Sequence, residues 1–361
     1  MPPFTLLRRL IDCWLNQGRV APDLAQAIAD PATPWPRLVT LSAVHIMTPA
    51  MAAALADPLL AATLPDDLRA YLAAIHEAAT MRSRRLHAQL AHVAAALNET
   101  DIVPVALKGA IRLVDGLWPD PALRFMHDLD LLVPAESLAR GQRQLMGLGW
   151  QLTGTLDDGE GHHVTLTHPD AEARVELHHI PMPAPDGTLL PAARMIARAR
   201  PIMVGDANVA LPSLEDQLVH LVAHGMVHHA FLYNGRFLLR DVVEQALLTR
   251  AADPQDLVRA RGRFAAVGLA RAWDVSAALA ARCLPESTDR PARRDLGTRL
   301  LVDRMLLQQR SPLIMALLGP IGWSAARTLG GAAAKPGPAG GGSAIQHAAD
   351  RLLTFRRKTR W

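Results

Sequence analysis

Cysteine and aromatic residues are both scarce in this 361-residue sequence, which has two cysteines and 4% phenylalanine, tryptophan and tyrosine. Two cysteines as distant as Cys13 and Cys283 exclude the disulfide framework of a small secreted domain, and they predict a reduced, cytoplasmic protein. The sequence also lacks an uncharged apolar run of the roughly 20 residues that a membrane-spanning helix needs. Its nearest approach, residues 312–323, is shorter and contains Pro320. We expect a buried helix there, with peripheral contact to a membrane or partner as the alternative.

The small excess of positive charge is accounted for by one end of the chain. The formal net charge is +4. Residues 350–361 hold one acid, Asp350, and five basic residues, so that five minus one gives the whole excess: Arg351, Arg356, Arg357, Lys358 and Arg360. The rest of the chain is close to neutral, and composition gives no strong signal for nucleic-acid binding. The basic tail can still make a peripheral contact with an anionic membrane, RNA or a partner.

Helical periodicity dominates both halves of the sequence outside its centre. Residues 1–99 predict an N-terminal helical region, and its clearest helix covers residues 66–98, where apolar residues recur at spacings of three, four and seven. A C-terminal helical region at 213–328 begins with Ser213, a typical N-cap followed by acidic residues. A Gly/Pro-rich linker (329–343) and the basic tail (344–361) follow.

Residues 100–212 predict a small α/β core between the helical regions. Short apolar, partly β-branched segments predict five strands, at residues 102–107, 129–133, 150–155, 163–167 and 173–178. Helical segments follow the first two of these strands, and turns rich in Asp, Gly and Pro separate the others. The order predicts an α/β (α+β) fold in which a small mixed sheet is flanked by helical regions.

An acidic pair at the start of the second predicted strand is the most informative feature of this core. Asp128 and Asp130 flank Leu129, and side chains two apart in a strand project from the same face. Paired carboxylates repel each other, and a hard divalent cation such as Mg²⁺ offsets that repulsion by binding their oxygens. The pair therefore predicts a magnesium site.

Glu176 is the candidate for a third carboxylate. It lies between Val175 and Leu177 in the fifth predicted strand, which we expect to neighbour the strand of the acidic pair. Three carboxylates on adjacent strands suit a mechanism in which one Mg²⁺ activates an attacking hydroxyl while another binds the triphosphate and leaving pyrophosphate. We therefore predict Asp128, Asp130 and Glu176 as the catalytic ligands of two magnesium ions.

A nucleotide-binding turn is predicted just upstream. Lys108-Gly109 lies where the first strand turns into a helix, and glycine lets a phosphate approach the backbone while the helix start attracts anions. Lys108 and Arg124 can add positive charge to the same triphosphate site. The alternatives are that Lys108 pairs with an acid and that Arg124 clamps Asp128.

These segments together give Leu-Lys-Gly, then about 15 residues, then Arg-x-x-x-Asp-x-Asp-Leu-Leu-Val, and later Val-Glu-Leu-His. The pattern resembles the uncharacterised nucleotidyltransferase family of the polymerase-β superfamily over about residues 100–250. The resemblance implies an NTP co-substrate and a reaction type but no acceptor. One departure from the wider superfamily is the turn itself, where Lys108-Gly109-Ala110 replaces the usual Gly-Ser, so nucleotide handling must differ.

Histidines supply the remaining candidates. His178, two residues after Glu176, can orient that carboxylate, bind substrate, or be a hydrogen-bonded core residue, whereas His162-His163 lie beside glycines and predict an exposed turn. His220, His224 and His228 recur every four residues and share a helix face. We expect this helix to pack over the cleft with His224 toward substrate. The alternative is a zinc or iron site with His229 and Asp241, and the role of Asp241 stays open.

The sequence thus predicts a magnesium-dependent transferase that moves an NMP from an NTP, such as ATP, to an acceptor hydroxyl or phosphate. The acceptor is an unidentified small molecule, peptide or saccharide. Two alternatives from other classes remain: a non-catalytic, nucleotide-binding regulator that resembles an antitoxin, and a histidine-metal hydrolase centred on His224, His228 and Asp241.

Overall fold

The computed structural model describes residues 1–18, 20–155, 161–183, 186–287 and 295–309, together with Ile314 and Leu318. Apart from those two residues, the segment 312–323 lies outside the described part, as do the linker 329–343 and the basic tail 344–361. Within the described residues, no helix combines the length and apolar character that crossing a membrane requires.

The N-terminal part consists of helices, as predicted. Their bounds are α1 Pro3–Leu15, α2 Pro22–Ala29, α3 Trp35–Val44, α4 Thr48–Leu55, α5 Pro58–Ala61 and α6 Asp66–Asn98. Helix α6 has the 33 residues that the periodicity predicted, and it is about 50 Å long at 1.5 Å per residue. Two aspartates in its first turn favour this start because they complement the helix dipole.

The central part alternates strands and short helices. The elements are β1 Val105–Ala106, α7 Lys108–Arg112, β2 Asp128–Leu132, α8 Leu138–Gly147, β3 Gln151–Gly154, β4 His163–Thr167, β5 Arg174–His178, α9 Ala192–Arg198, β6 Arg200–Val204 and β7 Ala207–Leu211. The first predicted strand shrinks to two residues. The hairpin of β6 and β7 was not predicted from the sequence. At its tip, Gly205 has a positive φ of +59°, a conformation that tight hairpin turns use.

The seven strands form one mixed sheet in the order β3-β4-β5-β2-β1-β7-β6. β2 pairs in parallel with β5, and β1 in parallel with β7, while the other neighbours are antiparallel. The predicted class, a mixed α/β fold with flanking helices, is therefore confirmed. The parallel pair β2–β5 lies at the centre and carries the acidic residues.

The C-terminal part is again helical. It comprises α10 Leu214–Val222, a π-helix at Ala223–His228, α11 Phe231–Asn234, α12 Leu239–Ala251, α13 Pro254–Ala266, α14 Ala270–Cys283 and α15 Leu296–Gln308. Helix α10 begins where the sequence predicted, because the Ser213 hydroxyl accepts a hydrogen bond from the Asp216 backbone N–H. The predicted period of four is interrupted at the π-helix.

Two apolar cores cover the two faces of the sheet. On one face, Leu129 and Leu131 of β2 pack with α8 and with the C-terminal half of α6. On the other face, Leu132 belongs to a larger core that includes residues from α1, α4, α10, α12 and α14. Because strand side chains alternate, Asp128 and Asp130 project to this second face, toward the C-terminal helices.

Candidate functional site

The acidic residues come together through the parallel pairing of β2 with β5. In its register Asp128 lies opposite Arg174, and Asp130 opposite Glu176. Asp130 and Glu176 are buried, whereas Asp128 at the strand end is half-buried. All three carboxylates therefore share one sheet face, the arrangement on which the predicted metal site depends. The assignment of metal ligands itself stays a prediction.

Each carboxylate of this group meets a positive charge from the same chain. Lys108 Nζ lies 2.7 Å from Asp130 Oδ1. Arg174 Nη2 lies 3.1 Å from Asp128 Oδ2 and 3.1 Å from Glu176 Oε1, so one guanidinium nitrogen bridges two acids. Sequence reasoning missed Arg174, although its position two residues before Glu176 predicted the same strand face.

The three acids differ in their proton affinity because their surroundings differ. Burial and the charges of Asp130 and Glu176 raise the pKa of Asp128. Burial also acts to raise the pKa of Asp130, but the charge of Lys108 and the hydrogen bond from His178 outweigh it and hold that pKa well below its ordinary value. The pKa of Glu176 is lowered as well, since its bond with His178 outweighs its burial. The negative charge of Asp128 is therefore the least neutralised of the three.

His178, at the end of β5, contacts the carboxylates of Asp130 and Glu176. It is fully buried, and its Nε2 lies 2.9 Å from Asp130 Oδ1 and 3.6 Å from Glu176 Oε2. Single ligand atoms of Asp130, Glu176 and His178 all lie within 4.8 Å of one another, close enough to hold one metal ion. The hydrogen bond of His178 is therefore with Asp130, whereas one of the sequence alternatives had it orient Glu176.

The Lys108-Gly109 turn is shaped by packing. Lys108 has a positive φ of +46°, a conformation that a side-chain-bearing residue rarely adopts and that tends to occur at functional sites. A Cβ atom on Gly109 would lie 2.8 Å from Arg124 Nη1 and 2.9 Å from the Met126 Cβ atom. A side chain at position 109 would collide with Arg124 and Met126, and this packing explains the glycine. From the sequence we expected the glycine to make room for a phosphate.

Arg124 and Lys108 line the same cleft. The ion pair of Arg124 is with Glu244, which is 120 residues away in sequence. Its Nε donates to Glu244 Oε2 at 3.0 Å, and Arg112 Nε donates to Glu244 Oε1 at the same distance. The three side chains are buried, and the two arginines hold the pKa of Glu244 down at about 2 against the effect of its burial. The alternative in which Arg124 clamps Asp128 is replaced by this pairing with Glu244.

The C-terminal helices line a cleft that also contacts Lys108 and Arg124, while Asp128, Asp130 and Glu176 are not among its lining residues. Its lining includes Lys108, Arg124, His220, His224, Arg240 and Asp241. Burial lowers the pKa of His220 to about 3 and that of His224 well below its ordinary value, so both rings are neutral. Asp241 accepts hydrogen bonds from the adjacent Arg240 at 2.9 Å. His224 lines this cleft and belongs to a π-helix, an irregularity frequent at functional sites. Its contact with substrate stays a prediction.

The expectation of an exposed turn at His162-His163 is wrong for His162, which is only 8% exposed. The two imidazoles pack against His178, with ring centroids 5.2 and 4.9 Å from it. Within the described residues, a second group of ligand atoms within 4.8 Å of one another is formed by these three histidines. The reason is the antiparallel register of β4 and β5, which places His163 opposite His178.

Comparison with known proteins gave one family match. Residues 31–285 match the family described as uncharacterised nucleotidyltransferase. No curated protein matches the sequence. Among solved structures, the chain is similar to the antibiotic-resistance factor ANT(2'')-Ia, with 14% identity over 52% of this chain and 95% of that one, at a TM-score of 0.36.

Proposed function

The chain belongs to the family of uncharacterised nucleotidyltransferases, and we propose that it moves an NMP from an NTP to an acceptor hydroxyl or phosphate, with release of pyrophosphate. The observation that carries this proposal is the parallel β2–β5 pairing, which places Asp130 opposite Glu176 and Asp128 one pleat away. In the reaction, an acceptor oxygen forms a bond to the α-phosphorus and gives its proton to a carboxylate. The bond to the bridging oxygen breaks, and pyrophosphate leaves with the electron pair.

The donor set fits magnesium. Asp128, Asp130 and Glu176 offer the oxygen ligands that Mg²⁺ prefers. Burial first, and then the negative charges of Asp130 and Glu176, raise the pKa of Asp128, so a cation here would be favourable. Arg174 already bridges Asp128 and Glu176, which marks the space between them as a favourable position for a cation. Bound there, two Mg²⁺ ions would neutralise the triphosphate and promote ionisation of the acceptor hydroxyl.

The cationic side chains are assigned to the nucleotide. Lys108 has a quarter of its side chain exposed, and it can exchange its contact with Asp130 for a phosphate oxygen. His178 holds Asp130 in place through its hydrogen bond of 2.9 Å. Gly109 leaves room for the Arg124 side chain, which donates a hydrogen bond to Glu244. Arg124 is thereby held beside the Lys108-Gly109 turn.

The acceptor is assigned to the wall built by the C-terminal helices. His220, His224 and Asp241 line the same cleft as Lys108. Neutral imidazoles can both donate and accept hydrogen bonds, so this wall suits a polar, uncharged part of a small molecule, peptide or saccharide. The described residues leave the base of the NTP unassigned.

The test compares the wild-type chain with Asp128→Asn/Asp130→Asn in the presence of Mg²⁺. Each protein is incubated with α-labelled NTPs and a fractionated lysate, and both label transfer and pyrophosphate release are measured. We expect transfer by the wild type and a loss of about 1,000-fold or more in the variant, because the metal-bound charge stabilises the transition state. Nucleotide binding without any transfer by the wild type would contradict the enzyme and support the regulator.

A further inference from the structure

Three imidazoles cluster on the sheet beside the carboxylates. His163 begins β4 and lies directly opposite His178 at the end of β5, and His162 immediately precedes that strand. One nitrogen from each ring lies within 4.8 Å of the others. His162 and His178 are buried and His163 is half-buried, so the cluster is largely shielded from water. Its donors are nitrogen atoms, unlike the oxygens of the carboxylate group.

The hydrogen bond of His178 determines which of its nitrogens is available. Its Nε2 lies 2.9 Å from Asp130 Oδ1. Asp130 is held ionised by Lys108 and can only accept, so Nε2 carries the proton and donates. In the neutral ring the lone pair is then on Nδ1, which is buried and has no hydrogen-bond partner among the described residues. A zinc-ligating imidazole usually donates its other ring N–H to a carboxylate or carbonyl, as His178 does to Asp130.

The spacing of the other two rings also fits a metal. His163 Nδ1 and His162 Nε2 are 3.2 Å apart and share a hydrogen bond, which a bound metal ion would replace. Two nitrogen ligands of a tetrahedral Zn²⁺ are about 3.3 Å apart, because each Zn–N bond is about 2.0–2.1 Å. On the far side of its ring, His163 Nε2 faces Glu176 Oε2 at 3.8 Å. Burial lowers the pKa of both rings, to about 3 for His162, so they are neutral as ligands must be.

The histidines of the C-terminal helices do not form an equivalent group. His224 stacks closely with His228 and His229, at centroid distances of 5.4 and 4.3 Å. Within the residues that the structure describes, two groups have three ligand atoms within 4.8 Å of one another: His162, His163 and His178, and Asp130, Glu176 and His178. Both groups lie at the sheet. Nitrogen donors favour zinc and other late transition metals, whereas carboxylates favour magnesium. The sheet therefore presents two overlapping groups of ligand atoms, joined at His178, with different metal preferences.

We propose that His162, His163 and His178 bind one Zn²⁺ ion, with a fourth position open to water or to an oxygen of a ligand. This site shares His178 with the group of Asp130 and Glu176. Its other two ligands, His162 and His163, are not among the magnesium ligands of the proposed transferase, and the site does not depend on that function. Asp130 contacts both sites, since it is a carboxylate of the first and the hydrogen-bond acceptor of His178 in the second. Asp130 therefore supports zinc binding without being a zinc ligand.

The test measures Zn²⁺ binding to the full chain in the absence of nucleotide and Mg²⁺. Metal-free protein is titrated with Zn²⁺ against a chelator of known affinity, and the visible absorption of bound Co²⁺ reports tetrahedral geometry. We expect one Zn²⁺ per chain. Affinity should fall by about 100-fold or more in His162→Gln/His163→Gln and by about 10- to 100-fold in Asp130→Asn. The control is His87→Gln, an exposed histidine on α6 that should bind as the wild type does.

Two results would overturn the proposal. One is wild-type affinity in the double histidine variant, particularly if Asp128→Asn/Glu176→Gln abolishes binding, because Zn²⁺ would then be held by the carboxylates. The other is a Zn X-ray absorption spectrum of the loaded wild type with an oxygen-only shell and no imidazole scattering. The spectrum needs no variant, so it decides the question even if the double variant fails to fold. Neither result bears on Mg²⁺-dependent transfer.

Discussion

At the residue scale, the carboxylate group is defined by its charge balance. Lys108, Arg174 and His178 all contact acids, and each reaches them from β5 or from the start of α7. Lys108 and His178 both contact Oδ1 of Asp130, while the ion pair of Asp128 within the described part of the chain is with the half-exposed Arg174. The acid at the strand end is therefore the one whose charge is least compensated, and it is the one with a raised pKa.

Arg174 should compete with a divalent metal, because its Nη2 lies between Asp128 and Glu176. We predict that Arg174→Gln binds Mg²⁺ more tightly than the wild type by roughly two- to fivefold, since exposed ion pairs contribute about 0.2–1 kcal/mol. Calorimetric titration measures the change. The matched control is Arg143→Gln on the exposed side of α8, which should leave the affinity unchanged. Weaker Mg²⁺ binding in Arg174→Gln would show that the arginine orders the site instead.

At the element scale, one buried ion-pair network joins three parts of the cleft. Glu244 of α12 accepts hydrogen bonds from Arg112 in α7 and from Arg124 in the segment before β2. Arg112 Nη2 also donates to Gln217 of α10 at 2.8 Å. The network fixes the turn that begins at Lys108 against the C-terminal helices, so it links the sheet with the opposite wall of the cleft.

Gly109 is the tightest point of this arrangement. We predict that Gly109→Ala destabilises the protein by about 1–3 kcal/mol, since its Cβ atom would be forced against Arg124 and Met126. Urea unfolding measures the loss. Gly262→Ala is the matched control: it lies within α13, and outside the local backbone of that helix no atom comes within 4 Å of the added Cβ. It should stabilise by about 0.5–1 kcal/mol because alanine favours a helix. Equal effects at both glycines would refute the packing explanation.

At the scale of the whole molecule, the N-terminal and C-terminal helices share one apolar core. Phe4 of α1 stacks edge-on with Phe237 at a centroid distance of 5.7 Å. His45, just after α3, accepts a hydrogen bond from the Leu239 backbone N–H at 3.1 Å. These contacts join segments about 200 residues apart in sequence, so the start of the chain supports the helices that line the cleft.

The buried histidines make the folded protein sensitive to acid. Burial lowers the pKa of His45 to about 4 and that of His220 to about 3 from an ordinary value of 6.5. Below pH 6.5 the unfolded chain therefore binds more protons, and the free energy of unfolding falls as the pH drops toward 4. The slope should be about 1.4 kcal/mol per pH unit for each histidine.

Urea unfolding in metal-free buffer between pH 7 and 4 measures this dependence. His45→Gln keeps a hydrogen-bond acceptor for Leu239 but cannot titrate, so we expect its slope to be smaller by about one proton. His76→Gln, at an exposed position on α6, is the control and should keep the wild-type slope. An unchanged slope in His45→Gln would mean that His45 is protonated to the same extent in the folded and unfolded states.

The sequence by itself determined the parts of this protein that depend on local periodicity. The 33-residue α6, the cap at Ser213 and the strands that carry Asp128, Asp130 and Glu176 follow from patterns within a few residues of each other. The strand period also placed both aspartates on one face. Periodicity did not predict the β6–β7 hairpin, which forms one edge of the sheet.

Only the tertiary structure decided which distant side chains meet. Arg124 pairs with Glu244, 120 residues away, and His162 and His163 reach His178 through the register of β4 and β5. No local pattern encodes such partners, because strand pairing and helix packing bring them together after the chain has turned back. Burial then changes the chemistry of these groups, since removing water strengthens each charge interaction and lowers the pKa of His162 and His163.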